Sequence, residues 1–325
     1  MELNKFLAEW HNDNPRILVH TSGSTGKPKP LMVEKRRMLN SARITCDFLG
    51  LKPGDTALLC MPLDYIAGKM MVVRSLQRDL RLTSVRPSSH PLADDALPSF
   101  TFAAMVPMQV YNTLKVPCER ERLMHIRHLI IGGGAISDEL AQMIKPLPNA
   151  VWSTYGMTET LSHIALRRLN GPDASLWYTP FDGVGISLNA DGCLVIDAPE
   201  VCAEPLVTND IAQLRTDDRT GKTLFRIKGR KDNVVCSGGI KIQIEEVEEA
   251  LRPHLSAPFM IVKKQDEMLG EKAILLTEST DLTHIEEICR NTLPKYWVPR
   301  EFLHIDRLPL TETGKPKRTL PFTPR

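Results

Sequence analysis

Nine consecutive residues, Thr21, Ser22, Gly23, Ser24, Thr25, Gly26, Lys27, Pro28 and Lys29, bring together four hydroxyls, two glycines and two lysines. That set suits a polyphosphate. Glycines let the backbone bend around a phosphate chain, hydroxyls and exposed N–H groups donate to its oxygens, and lysines offset its charge. A P-loop of the nucleoside-triphosphatase kind is excluded on two counts. It needs Gly six positions before the Lys, where Thr21 stands. It also needs Ser or Thr after the Lys and then a helix. Here Pro28 follows Lys27 and Pro30 follows Lys29, and prolines so spaced prevent a regular helix interior. The loop holds phosphate in another way.

The elements around this loop alternate. Leu3, Phe6, Leu7 and Trp10 give one apolar face of a short helix, stopped by the turn cluster Asn12-Asp13-Asn14-Pro15. Arg16 to His20 is a β-prone run that leads into the loop. A helix is expected from about Glu34 to Leu49, closed by Gly50 and the turn Lys52-Pro53-Gly54-Asp55. Buried-strand patterns follow at Ala57 to Met61, at His128 to Ile131 before Gly132-Gly133-Gly134, and at Ala150 to Thr154 before Tyr155-Gly156-Met157-Thr158-Glu159. The Pro- and Ser-rich stretch from about Arg86 to Pro98 reads as a loop. Strands alternating with helices predict an α/β layer structure. From about Gly183 to Ile227 short strands separated by Gly, Asn and Asp predict an antiparallel section. The expected boundary lies at Gly229, giving one domain over 1–228 and a small α+β domain over 229–325. The latter has a helix near Glu245 to Arg252 with Ile244, Val247 and Leu251 on its apolar face. Its remaining elements are a strand at Val234 and Val235 before that helix, two strands after it, a helix near Leu282 to Leu293 and a strand from Phe302 to Ile305.

Composition narrows the partners. The chain has 325 residues, enough for about two domains. Its net charge of +2 gives no support to a nucleic-acid or membrane-surface binder. No apolar run is long enough for membrane insertion, and the first residues lack a secretory pattern. The seven cysteines are scattered without a Cys-x-x-Cys pair and read as reduced thiols, in keeping with a cytoplasmic protein.

The loop Thr21 to Lys29 resembles the phosphate-binding signature of the adenylate-forming superfamily of acyl-CoA synthetases, luciferases and peptide-synthetase adenylation domains. Further matches occur in family order. Tyr155-Gly156-Met157-Thr158-Glu159 resembles the YGxTE motif, and Thr208-Asn209-Asp210 the TGD motif with Asn in place of Gly. Gly229-Arg230-Lys231-Asp232 resembles the GRxD hinge, Ser237-Gly238-Gly239 through Glu248 the segment after it, and Thr313-Gly314-Lys315 the segment that carries the catalytic lysine. The resemblance implies a carboxylate attacking the α-phosphorus of ATP, giving acyl-adenylate and pyrophosphate. It gives Lys315 a bridge between substrate carboxylate and α-phosphate, Thr158 an α-phosphate contact and Glu159 a Mg²⁺ ion. It gives Asp210 and Arg230 the ribose, Tyr155 and Gly156 the adenine side, and Gly132, Gly133 and Gly134 the pocket wall. Without the resemblance, Lys315, Lys317 and Arg318 read as a solvated basic tail.

Pro62-Leu63-Asp64-Tyr65-Ile66-Ala67-Gly68 followed by Arg74 resembles one branch of the superfamily, the o-succinylbenzoate–CoA ligases of menaquinone synthesis. An Arg fork suits a second, free carboxylate. The implied acid-pocket set is Arg74, Tyr65, Gly132 and His163. Tyr65 stands where that branch has His, Ala67 where it has Ser, and Pro30 where Gly is usual. Coenzyme A is the implied co-substrate of a second half-reaction, with Asp232 as hinge and Gly238 and Gly239 on the face that admits the thiol. Ligases for other aryl or short-chain acids, and a nucleotide-binding homologue without catalysis, are the alternatives. A homo-oligomer is compatible with the sequence. The loop begins at Thr21, whereas family members usually place it well over a hundred residues into the chain. The resemblance therefore implies a large domain that lacks the usual first subdomain.

Overall fold

The computed structural model describes residues 1–20, 30–134, 136–310, 316–318 and 320. The phosphate-loop candidate, Thr21 to Lys29, and the lysine candidate, Lys315, lie outside the described residues.

Helix α1 (Leu3–His11) buries Phe6 and Trp10 and ends at the expected turn cluster. Strand β1 (Arg16–His20) pairs antiparallel with β2 (Pro30–Glu34), and His20 faces Pro30 at the open end of the pairing. The sequence offered no reason to expect β2. Pro30 is tolerated because it is the first residue of the strand. The phosphate-loop segment thus joins two paired strands, not a strand and a helix. Helix α2 (Lys35–Leu49) ends on Gly50 in the left-handed region (φ 64°), where a glycine costs least.

Next come β3 (Thr56–Leu59), α3 (Ile66–Arg78), β4 (Arg81–Ser84), β5 (Phe102–Met105), α4 (Pro107–Lys115), α5 (Pro117–Met124), β6 (His128–Ile131), α6 (Asp138–Ile144), β7 (Ala150–Gly156), β8 (His163–Arg168) and β9 (Thr179–Pro180). Their seven strands form one sheet in the order β4-β3-β5-β6-β7-β8-β9. The first five run parallel, β8 runs antiparallel to β7, and β9 antiparallel to β8. β5 is buried throughout, and β3 and β6 at every residue but the first, so they read as unbroken apolar runs. α3 is tied to the hairpin by Lys69, whose buried Nζ donates to the Leu18 carbonyl at 2.6 Å.

Strands β10 (Gly185–Leu188), β11 (Cys193–Asp197), β12 (Leu206–Thr216) and β13 (Thr223–Arg230) form a four-stranded sheet in that order. A short 3-10 turn (Lys231–Asn233) leads to β14 (Val234–Ser237), β15 (Ile240–Gln243), α7 (Ile244–Leu251), β16 (Phe259–Asp266), β17 (Gly270–Thr277), α8 (Leu282–Thr292) and β18 (Glu301–His304). Strands β14 to β18 form one sheet in which β18 runs parallel to β17. Ile244, Val247 and Leu251 of α7 are buried with Val235, Ile261 and Leu275 beneath them.

The chain divides into two compact units. One is Met1–Ile186 with Ile196–Leu206 and Leu214–Phe225; the other is Ser187–Val195 with Val207–Gln213 and Arg226–Arg325. The architecture is the mixed α/β arrangement expected. Among the described residues no helix is long and apolar enough to cross a membrane. All seven cysteines are free thiols. Burial pushes Cys60 and Cys289 up to about 12 and Cys202 to about 11, which leaves them unreactive.

Candidate active site

The chemistry-bearing segments of the first unit share one edge. β3, β5, β6 and β7 run parallel, and each carries its motif at its carboxyl end. Pro62 to Gly68 follow β3, Val106 and Pro107 follow β5, Gly132 to Gly134 follow β6, and Met157 to Ser162 follow β7. Open parallel sheets bind ligands at this edge.

Close approach explains the glycines. A Cβ on Gly132 would lie 2.5 Å from Thr154 Oγ1, and one on Gly156 would lie 2.2 Å from the Ser162 carbonyl oxygen. One on Gly68 would lie 2.3 Å from the Pro62 carbonyl oxygen, so only glycine lets α3 sit this close to the turn after β3. Gly133 has φ 80°.

The turn after β7 is braced internally. Thr160 Oγ1 accepts from the Met157 N–H at 2.9 Å and lies 2.6 Å from the Ser162 carbonyl. Leu161 is held at φ 64°, a strained position for a branched side chain. Thr158 is only 6% exposed, whereas Glu159 is exposed with its main-chain carbonyl accepting from Cys202 Sγ. A single exposed carboxylate fits Mg²⁺, which keeps most of its waters and takes other oxygens from phosphate. Among the described residues no three potential ligands cluster around a metal position. Tyr155 lies against Phe225 (ring centroids 5.0 Å apart) and Tyr178 (5.8 Å), an aromatic surface suited to a flat base.

The acid-pocket candidates separate. Arg74 is 2% exposed and its Nη2 donates to Ser162 Oγ at 2.5 Å. Its Nε has no partner, and among the described residues no carboxylate pairs with it. Burial lowers Arg74 to about 10, a shift only partly opposed by the nearby Cys46. His163 is 7% exposed. Its Nδ1 lies 3.1 Å from Ser162 Oγ and its Nε2 3.1 Å from Thr45 Oγ1. Burial first, and Arg74 second, hold its imidazole well below the usual range and therefore neutral. Tyr65 is not joined to this group. It is the N-cap residue of α3, in extended conformation and with no side-chain capping bond. Ser162 and Thr45 had no sequence signal beyond their hydroxyls.

In the second unit Arg230 reaches Asp210 Oδ1 with one Nη (3.2 Å) and Asp232 Oδ2 with the other (2.8 Å). Asn209 donates to the same Asp232 oxygen at 3.3 Å. Gly229 is pressed against Gln243 and Glu245, where a Cβ would meet Gln243 Nε2 at 2.4 Å. Gly238 and Gly239 form the two-residue turn between β14 and β15 with φ 56° and 82°, a hairpin geometry that selects glycine by itself. Arg318 is not a solvated charge. It donates to both oxygens of the mostly buried Glu248, at 2.5 and 2.8 Å, and to the Ile261 carbonyl at 2.7 Å.

Residues 4–203 match the AMP-binding enzyme family. That is more than half of the chain, and the chain belongs to this family. It is 25% identical to the 2-succinylbenzoate–CoA ligase of Bacillus mycoides (strain KBAB4), with the match covering 94% of this chain and 69% of that protein. Among solved structures it is similar to an acyl-CoA synthetase (AMP-forming)/AMP-acid ligase II-like protein from Dyadobacter fermentans. They are 33% identical with a TM-score of 0.67, over 97% of this chain and 91% of that one. It also shares the fold of the o-succinylbenzoate coenzyme A synthetase (MenE) from Bacillus subtilis, solved with ATP and magnesium ion. That likeness has 23% identity and a TM-score of 0.72, over 93% of this chain and 68% of that one. The chain therefore spans about two thirds of the succinylbenzoate ligases and nearly all of the Dyadobacter protein.

Proposed function

We propose that this protein is an ATP-dependent acid–CoA ligase whose acid keeps a free carboxylate beside the one it activates, with o-succinylbenzoate as the candidate. The observation that carries this reading is Arg74, a fully buried guanidinium with an unpartnered Nε and no carboxylate against it among the described residues. A buried cation left in that state is costly unless an anion arrives. The names of the similar ligases favour the same substrate.

One substrate carboxylate oxygen attacks the α-phosphorus and pyrophosphate leaves with the electron pair of the broken P–O bond. The thiolate of coenzyme A then attacks the acyl carbon and AMP leaves. Lys315 bridges the attacking carboxylate and the α-phosphate, Thr158 donates to the same phosphate, and Asp210 accepts from the ribose hydroxyls. Tyr155 stacks beside the adenine. Mg²⁺, when bound at Glu159, offsets phosphate charge. Asp232 serves as the hinge residue, with Gly238 and Gly239 in the segment that admits coenzyme A.

The test is an acid panel with ATP, Mg²⁺ and coenzyme A, read by mass spectrometry for AMP and thioester. Turnover of o-succinylbenzoate above simple aryl and short-chain acids is expected. Turnover of another acid with none of o-succinylbenzoate rejects the substrate, and ATP binding without any acid-dependent pyrophosphate exchange rejects the activity. Lys315→Ala should cost adenylation roughly 10²–10³-fold while sparing thioester formation from supplied acyl-adenylate.

A further inference from the structure

Four groups beside Arg74 form a hydrogen-bond chain whose direction can be assigned. Thr45 Oγ1, in α2, donates to the Ser41 carbonyl at 3.0 Å. Its single proton is then committed, so the contact to His163 Nε2 at 3.1 Å requires the imidazole to donate. A neutral imidazole protonated at Nε2 has a bare Nδ1, which accepts from the Ser162 hydroxyl at 3.1 Å. The Ser162 oxygen in turn accepts from Arg74 Nη2 at 2.5 Å. The opposite tautomer leaves the Ser162 proton without an acceptor among the described contacts and sets Thr45 against its own bond to Ser41. Only one tautomer satisfies every member.

We propose that Thr45 and His163 are positioning residues for the acid subsite. Together they fix the orientation of Ser162 and, through it, of the Arg74 guanidinium. Ser162 spends its proton on His163 and a lone pair on Arg74. The cation is therefore held by two neutral contacts, the Ser162 hydroxyl and the Met71 thioether, and its Nε stays unpartnered. What the group offers a ligand is a charge and an unpartnered N–H donor. A donor with full positive charge suits an ionised carboxylate. The proposal rests on the acid–CoA ligase reading for its ligand, but the chain itself can be examined without turnover.

The experiment combines nitrogen NMR on ¹⁵N-histidine-labelled protein with acid-dependent pyrophosphate exchange. In the wild-type protein His163 should give the signature of the Nε2–H tautomer. Thr45→Val removes the acceptor with little change of shape, so the tautomer should shift and the KM for the acid should rise about tenfold, the worth of one hydrogen bond to a charged group. The KM for ATP should stay within about twofold. Thr45→Ser should restore both. An Nδ1–H signature in the wild-type protein overturns the chain. So does a shifted tautomer in Thr45→Val with an unchanged KM for the acid, or equal loss of thermal stability in the Val and Ser variants with no KM effect. If the folded wild-type protein activates no acid, the ligase reading falls, while the wild-type tautomer still upholds or overturns the chain.

Discussion

Arg74, fully buried, and Arg318, mostly buried, are provided for in opposite ways. Arg318 is answered by a two-oxygen grip from Glu248 and by a main-chain carbonyl, and these raise its proton affinity despite burial. Arg74 is answered by a serine hydroxyl and a thioether, and burial lowers it to about 10. The first is a closed arrangement that holds a fold. The second has no counter-charge among the described residues, which is what the proposed acid site requires before its ligand arrives. Burial alone does not separate a structural charge from a functional one; the completeness of its partners does.

The comparison can be broken by removing partners in turn. Glu248→Ala strands Arg318 and takes the acceptor from the Ile261 N–H, so it should cost about 3–5 kcal/mol, read as a fall in urea midpoint. A fall below about 1 kcal/mol would mean that the pair is effectively in water. Arg74→Met should do the reverse. It removes a charge that has no counter-charge to lose, so stability should hold or rise, while the KM for the acid climbs at least about tenfold. Loss of stability comparable to Glu248→Ala would make Arg74 a structural residue.

Gly156→Ala probes the mount of the open site. The new Cβ meets the Ser162 backbone, so about 1–3 kcal/mol of overpacking should appear together with a weaker acid response. A stable variant with normal acid kinetics would detach the turn after β7 from the site.

The smallest effect is a pH slope. The folded His163 binds its proton less readily than an unfolded histidine near 6.5, so the unfolded chain takes up the proton first. Stability is fully present above that value and is lost as pH falls below it, by at most about 1.4 kcal/mol per pH unit. His163→Gln should flatten part of this slope between about pH 6.5 and 5. His128, also held low by burial, keeps the remainder. An unchanged slope would mean that His163 is not held neutral.

Much of this was legible in the sequence, for physical reasons that can be named. The apolar runs at β3 and β6 mark a parallel sheet buried on both faces, and Gly50 marks the end of α2. Gly132 and Gly156 stand out in their motifs, but the close approaches that exclude a Cβ there come from the structure alone. The strand at Pro30 was not legible, because proline at a strand start leaves no periodic signal in five residues. Of the group around Arg74, the resemblance named Arg74 and His163 but neither Thr45 nor Ser162. Thr45 and His163 are 118 residues apart, and nothing in a lone helical threonine says which imidazole it will meet. The ion pair of Arg318 leaves no local signal, because its partner, Glu248, lies 70 residues earlier, buried on α7.

The central claim is that Arg74 recognises a free carboxylate on the acid being activated. The most direct measurement is acid-dependent pyrophosphate exchange by the wild-type protein and Arg74→Met, each with o-succinylbenzoate and with the same keto acid lacking the ring carboxylate. The account predicts that the wild-type protein favours the dicarboxylate by at least about tenfold and that Arg74→Met favours neither. Equal preference in the two proteins would contradict it.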